Sequence, residues 1–149
     1  MSRSGYVDDY EFDDPLEQGR FRAAVSNAIR GKRGQSFLRD LAATLDVMPE
    51  KRLTAHVWDE PITGMPFAAR GGEVCALGAV TRARGIDTSM HDPDDDSAVE
   101  IVASQINISV AMAREIAWLN DDAYSHRTSP EERWQLVREW VDDHIKQER

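Results

Sequence analysis

Four carboxylates crowd into five positions in "HDPDDDSAVE", Asp92, Asp94, Asp95 and Asp96, with Glu100 one helical turn further on. Runs of this kind bind hard cations such as calcium when a tight turn gathers about six to eight oxygens around one point. The EF-hand loop does so with a glycine at its sixth position and a glutamate at its twelfth, and neither is present here. The run therefore reads as a solvated loop. Its charges favour the N-terminus of the helix that follows, with Ser97 as the N-cap.

The remaining metal and nucleophile chemistry is thin. His56, His91, His126 and His144 are scattered, with no HxxxH or HExxH spacing and no cysteine pair beside them, so zinc is not expected. Cys75, the single cysteine, stands in "VCALGAV" among small apolar residues. A free cysteine there behaves as a small buried hydrophobe rather than a nucleophile. The adjoining Gly78 and Ala79 imply close approach of a neighbouring helix. GxSxG, Walker and GxGxxG motifs do not occur, so the expectation is a protein without catalytic activity and without a cofactor.

A basic cluster is the second feature that bears on chemistry. In "AIRGKRGQSFLRDL", Arg30, Lys32 and Arg33 are punctuated by Gly31 and Gly34, and Arg39 follows. A helix–turn–helix reader would place its second helix in a major groove, with Gln35, Ser36 and Arg39 as the available base readers and the turn on phosphates. The competing reading gives these cations a plainer task, complementing the C-terminal dipole of the first helix and keeping the turn soluble. A third reading starts from the acids. Clusters at 8–14 and 92–100 would present carboxylates to a basic groove on another protein and speed its association.

These residues need elements to position them. Asp14-Pro15 supplies an N-cap and a first-turn proline, and Phe21, Ala24, Val25, Ala28 and Ile29 repeat at helical spacing until Gly31. A second helix is predicted from Gln35 or Ser36, with Leu38, Leu41, Leu45 and Met48 on one face and Pro49 ending it. In "RLTAHVWD" (52–59), Leu53, Ala55 and Val57 alternate with Thr54, His56 and Trp58, which predicts a short strand. "EPITGMPFAARGG" (60–72) reads as a loop from its prolines and glycines. Residues 73–85 read as a helix with Gly85 at C′. A long helical region follows from Ala98 to about Leu119, interrupted near Asn107-Ile108-Ser109. Ser129, Pro130 and Glu132 form a capping box that opens a last helix with Trp134, Val137, Val141 and Ile145 on its buried stripe.

The predicted fold is mainly α, a single domain of five to six helices over residues 15–149 with at most a short β element near 52–58. Residues 1–14, with net charge −4, read as an acidic N-terminal tail. The whole chain of 149 residues carries −9, yet residues 15–53 hold +4 and residues 87–100 hold −6. No apolar run nears the roughly 20 residues of a membrane span, and the N-terminus has no apolar signal-peptide core. With one cysteine and no disulfide framework, a reducing cytoplasm is the expected location.

Across "SRSGY", "AIRGKRGQSFLRDLAATLD", "PEKRL", "GEVCALGAVTRARGID", "LNDD" and "TSPEERWQLVREWV" the chain resembles a widespread family of small uncharacterised phage and prophage proteins. "WDEPITGMPFAARG" looks like an insertion against that family's pattern. The resemblance implies an accessory protein in the cytoplasm of a bacterial host, binding a host or phage protein, with inhibition of a defence complex as one concrete form. Asp92, Asp94, Asp95 and Asp96 are then the expected partner-binding surface. The alternative is a nucleic-acid-binding accessory or regulatory protein using Arg30, Lys32, Arg33 and Arg39.

Overall fold

The computed structural model describes residues 15–60, 72–125 and 127–146. The predicted acidic tail (1–14), residues 61–71 of the loop predicted over 60–72, His126 and residues 147–149 lie outside them. Among the described residues the protein is mainly helical, with α1 (Pro15–Arg30), α2 (Lys32–Val47), α3 (Ala76–Ala83), α4 (Ser97–Gln105), α5 (Val110–Asp121) and α6 (Pro130–His144). Two short antiparallel strands, β1 (Asp59–Glu60) and β2 (Glu73–Val74), pair Asp59 with Val74 and Glu60 with Glu73. No helix among the described residues is long and apolar enough to cross a membrane.

α2 and α5 form the centre. α2 packs against α1, α3 and α6, while α5 packs against α1, α3, α4 and α6. Leu38, Leu41 and Leu45 of α2 are wholly inaccessible to solvent, and burying each contributes about 1.5–3 kcal/mol. They meet Met112 and Ile116 of α5, Val137 and Val141 of α6 and Leu77 of α3 in one continuous core. On α1 the predicted stripe is narrower than its spacing implied. Val25 and Ile29 are buried, Phe21 and Ala28 partly so, and Ala24 is exposed.

The second helix starts earlier than predicted. Gly31 alone separates α1 from α2, so Lys32 and Arg33 occupy the first helical turn instead of a connecting turn. Gly34, read as part of the turn, lies inside α2 because the helices cross there. A Cβ on it would sit 1.9 Å from the Ala28 carbonyl oxygen. Gln35 is buried, not a surface reader. Its amide donates to Ile29 O at 2.7 Å and to His144 O at 3.0 Å, and its oxygen accepts from Lys146 N at 2.8 Å. At the other end of α2, the Lys51 ammonium folds back to donate to the carbonyls of Asp46 and Met48.

The break between α4 and α5 falls where expected, and its cause is visible. Asn107 adopts φ +58°, Asn107 N–H reaches Ser104 O, and Ile108 N–H reaches Ala103 O at 3.1 Å. This is a Schellman closure with asparagine in the left-handed position. Ser109 then caps α5 by accepting from Met112 N–H at 3.1 Å. Gly85 closes α3 in the same way at φ +74°. Ser129 caps α6 by accepting from Glu132 N–H, with Pro130 in the first turn.

Of the strand predicted over 52–59 only Asp59 pairs, in β1, and residues 52–58 are irregular. Leu53 and Val57 are buried as the alternation required, but Trp58 of the opposite set is buried as well and Ala55 only half so, and His56 turns the backbone at φ +59°. The helix predicted for 73–85 loses its first residues to β2 and starts at Ala76. Cys75 is its N-cap, buried, with Sγ accepting from Gly78 N–H at 3.2 Å. The close approach at Gly78 comes from the Trp58 backbone, not from a helix, because a Cβ there would lie 1.9 Å from Trp58 O.

Candidate functional site

The acidic segment is a built loop rather than a loose one. At its entry Asp87 accepts from the Ser89 N–H at 2.8 Å and the Ser89 hydroxyl at 2.6 Å. At its exit Asp95 accepts from the Ser97 N–H at 2.9 Å and the Ser97 hydroxyl at 2.6 Å. In both places these donors hold the carboxyl below the usual carboxylate range. Between them Asp92 accepts from Asp94 N–H at 2.9 Å. Thr88 is buried beside Thr81 of α3, and the His91 ring meets Trp58 edge-on, so the loop is pinned to the core at two points.

Asp92, Asp94 and Asp95 are exposed and Asp96 is half-buried. Ser97, the predicted N-cap, is instead the first residue of α4, with Asp96 at the cap and no side-chain cap bond from it. Two of the large exposed hydrophobic side chains flank this run, Met90 at 79% and Ile101 at 50% exposure. Among the described residues no group of three or more His, Cys, Asp or Glu is placed to hold a metal ion.

The basic residues split between two places. Arg39 points toward the end of α6, where it donates to Lys146 O at 3.4 Å, and Lys146 in turn donates to the Arg30 carbonyl at 2.7 Å. Lys32 and Arg33 instead border an open cavity of about 300 Å³ between the start of α2 and the end of α4. Arg84, at the C-cap of α3, joins them. It donates to Asp40 at 2.9 Å and to Ile106 O at 3.3 Å, and Arg33 donates to the Asn107 side-chain oxygen at 3.3 Å. Ser36 lies on the wall, and the buried Phe37 and Ile106 form apolar lining. Arg84 falls within the helix predicted for residues 73–85, and nothing local in the sequence places it beside Lys32.

A buried polar knot links four segments that sequence reasoning did not connect. Asn120, near the end of α5, accepts from Ala76 N–H at 3.1 Å and donates to Thr54 O at 3.1 Å and to Asp121 Oδ1 at 2.9 Å. Asp121 also accepts from His56 N–H at 2.9 Å, which explains the left-handed turn there. The half-exposed imidazole of His56 lies between carboxylates, with Nδ1 3.8 Å from Asp121 and Nε2 3.7 Å from Asp122. Arg133 of α6 is buried and donates to Asn120 O at 2.5 Å. Burial pushes its guanidinium down, while Asp121, Asp122 and Tyr124 push it back up. The knot fixes the 53–57 segment, α3, α5 and α6 to one another.

The comparisons add no relative, since no family model, curated protein or solved structure matches this chain.

Proposed function

We propose that the chain is a non-catalytic phage or prophage accessory protein that binds a macromolecular partner in the bacterial cytoplasm through the face made by residues 87–101. The observation that carries this reading is that exposed Met90 and Ile101 bracket exposed Asp92, Asp94 and Asp95 along the chain. Protein interfaces combine a few apolar anchors with a polar rim, and carboxylates around such anchors select a basic partner and speed its approach. The Asp-x-Ser turns at both ends hold these groups in one arrangement, which lowers the ordering cost of binding. The resemblance to small phage proteins supports the setting, and a host defence complex is the concrete target within it.

Affinity capture from bacterial lysate, with and without nuclease, tests the proposal. Asp94→Asn with Asp96→Asn leaves the observed side-chain turns intact, since neither carboxylate accepts in them. One protein partner that survives nuclease and is lost with this double variant, or with Met90→Ala, is the expected result. A partner set that disappears with nuclease refutes it and favours the nucleic-acid reading. That second reading has its own support in Lys32 and Arg33, two cations side by side at an open cavity, whereas Arg39 reaches Lys146 O just past α6 and only the backbone carbonyl of Arg30 is bonded, by Lys146.

A further inference from the structure

The first turn of α2 is built against the usual electrostatics of a helix. An N-terminus carries partial positive charge and favours acids, so cations placed there are disfavoured. α6 follows the rule, with Ser129 as cap and Glu131 and Glu132 in its first turn. α2 has Lys32 and Arg33 there, no acid, and Gly31 as a cap that offers no side-chain acceptor. The end of α1 lies one residue away and favours cations, so the two dipoles offset each other there and the exposed charges of Lys32 and Arg33 stay available to an anion.

The surroundings of that turn say what kind of anion. Arg84 arrives from α3 and is held by Asp40 and by Ile106 O, and Arg33 is held by Asn107. These bonds use two of the five N–H donors of Arg84 and one of those of Arg33, so both forks are positioned with donors to spare. Three cations and one carboxylate border the cavity, and among the described residues Lys32 and Arg33 form no ion pair. The space of about 300 Å³ reaches the lower size range of pockets for organic ligands. A bare phosphate, with five heavy atoms, fills only part of it.

We propose that this cavity binds the phosphoryl group of a small organic phosphate of nucleoside-monophosphate size. Lys32, Arg33 and Arg84 hold the phosphoryl oxygens beside the open N-terminus of α2, an arrangement suited to anions. Asp40 and Ser36 stand at the same cavity as acceptors for a hydroxyl or amine on the organic part. The site is independent of the acidic face and stands or falls separately from it.

Calorimetric titration of the full chain with adenosine monophosphate is the test, with adenosine and inorganic phosphate as comparison ligands. Adenosine monophosphate is expected to bind and adenosine to bind at least about tenfold more weakly. Loss of one charge-assisted contact is worth roughly a tenfold or larger fall in affinity, and Lys32→Gln and Arg33→Gln are each expected to show it. Both side chains are exposed, and a melting temperature no lower than wild type separates lost binding from lost folding. Displacement of the nucleotide by a short strand only when it carries a 5′-phosphate assigns the natural source to a nucleic-acid end. Displacement by inorganic phosphate assigns recognition to the phosphoryl group itself. Failure of adenosine monophosphate to bind at millimolar concentration, or unchanged binding by both folded variants, overturns the proposal.

Discussion

Replacing Gly34 and Gly19 by alanine should move stability in opposite directions, although both glycines lie inside helices. A methyl at Gly34 would stand 1.9 Å from the Ala28 carbonyl oxygen and 2.9 Å from its carbon. Relief to ordinary contact requires α1 to retreat by roughly 1.5 Å from that oxygen. Forcing helices apart in this way costs about 1–3 kcal/mol. The same shift strains the buried 2.7 Å bond from Gln35 to Ile29 O, which adds about 1 kcal/mol. Alanine returns about 1 kcal/mol of helix propensity, so the net loss is about 2 kcal/mol. In a chain this long each kcal/mol shifts the melting temperature by about 2–4 °C, so Gly34→Ala should melt about 4–8 °C lower. At Gly19 no described residue lies within 4 Å of the added methyl, and propensity alone should raise the melting temperature by about 2–4 °C. Thermal unfolding followed by circular dichroism reads both. A Gly34→Ala protein as stable as wild type would refute the argument that α1 and α2 touch backbone to backbone there.

Asn120→Leu leaves the Ala76 N–H and the Thr54 carbonyl without their partner, and should cost about 2–4 kcal/mol in urea unfolding; a loss under about 1 kcal/mol would mean the knot is dispensable. Lys32→Glu places an acid where the dipole of α2 favours one and that of α1 does not, and should leave stability near that of wild type while abolishing nucleotide binding. A less stable Lys32→Glu protein would show that this lysine serves the fold. Asp46, Asp87 and Asp95 are held below the ordinary value of 3.8 by Arg138, Ser89 and Ser97 respectively. Their contribution is therefore present above the ordinary carboxylate range and is lost only as pH falls through their lowered native values. Carboxyl-carbon NMR should place all three midpoints under 3.8, and any one of them at or above it contradicts the geometry described.

What the sequence revealed was what short-range chemistry controls. The Ser129-Pro130-Glu132 box, the stop at Gly31, the closure at Gly85 and the interruption at Asn107 are local devices, and each stands where its residues placed it. Gly34 misled because a glycine placed for close approach to Ala28 carries the same letter as one placed for a turn. The alternation in 52–58 matched burial at Leu53 and Val57 but not at Trp58, which is buried too. Its backbone bends nonetheless, because an acceptor 65 positions away, Asp121, holds the His56 amide. The site suffered most from such distance. Arg84 reaches Asp40 across 44 positions and Arg33 reaches Asn107 across 74, so a cavity shared by three cations left no mark in any window of sequence. The acidic run was legible as a loop at a helix start, but the Asp-x-Ser turns that stiffen it were not read from the pattern.

The two short strands have a consequence for how this chain can change. Asp59 is gripped by the Arg82 fork at 3.1 and 2.5 Å while its backbone pairs with Val74, so residues 60 and 73 are held side by side at one clamped port. Because Glu60 and Glu73 are already held in register, lengthening the chain between them should add a closure cost of only about 0.6 kcal/mol for each doubling of length. Length at that port is thus nearly decoupled from the helical scaffold. Lineages sharing this architecture are free to diverge in size there, and a reporter domain grafted at the same position would leave both the acidic face and the basic cavity in place.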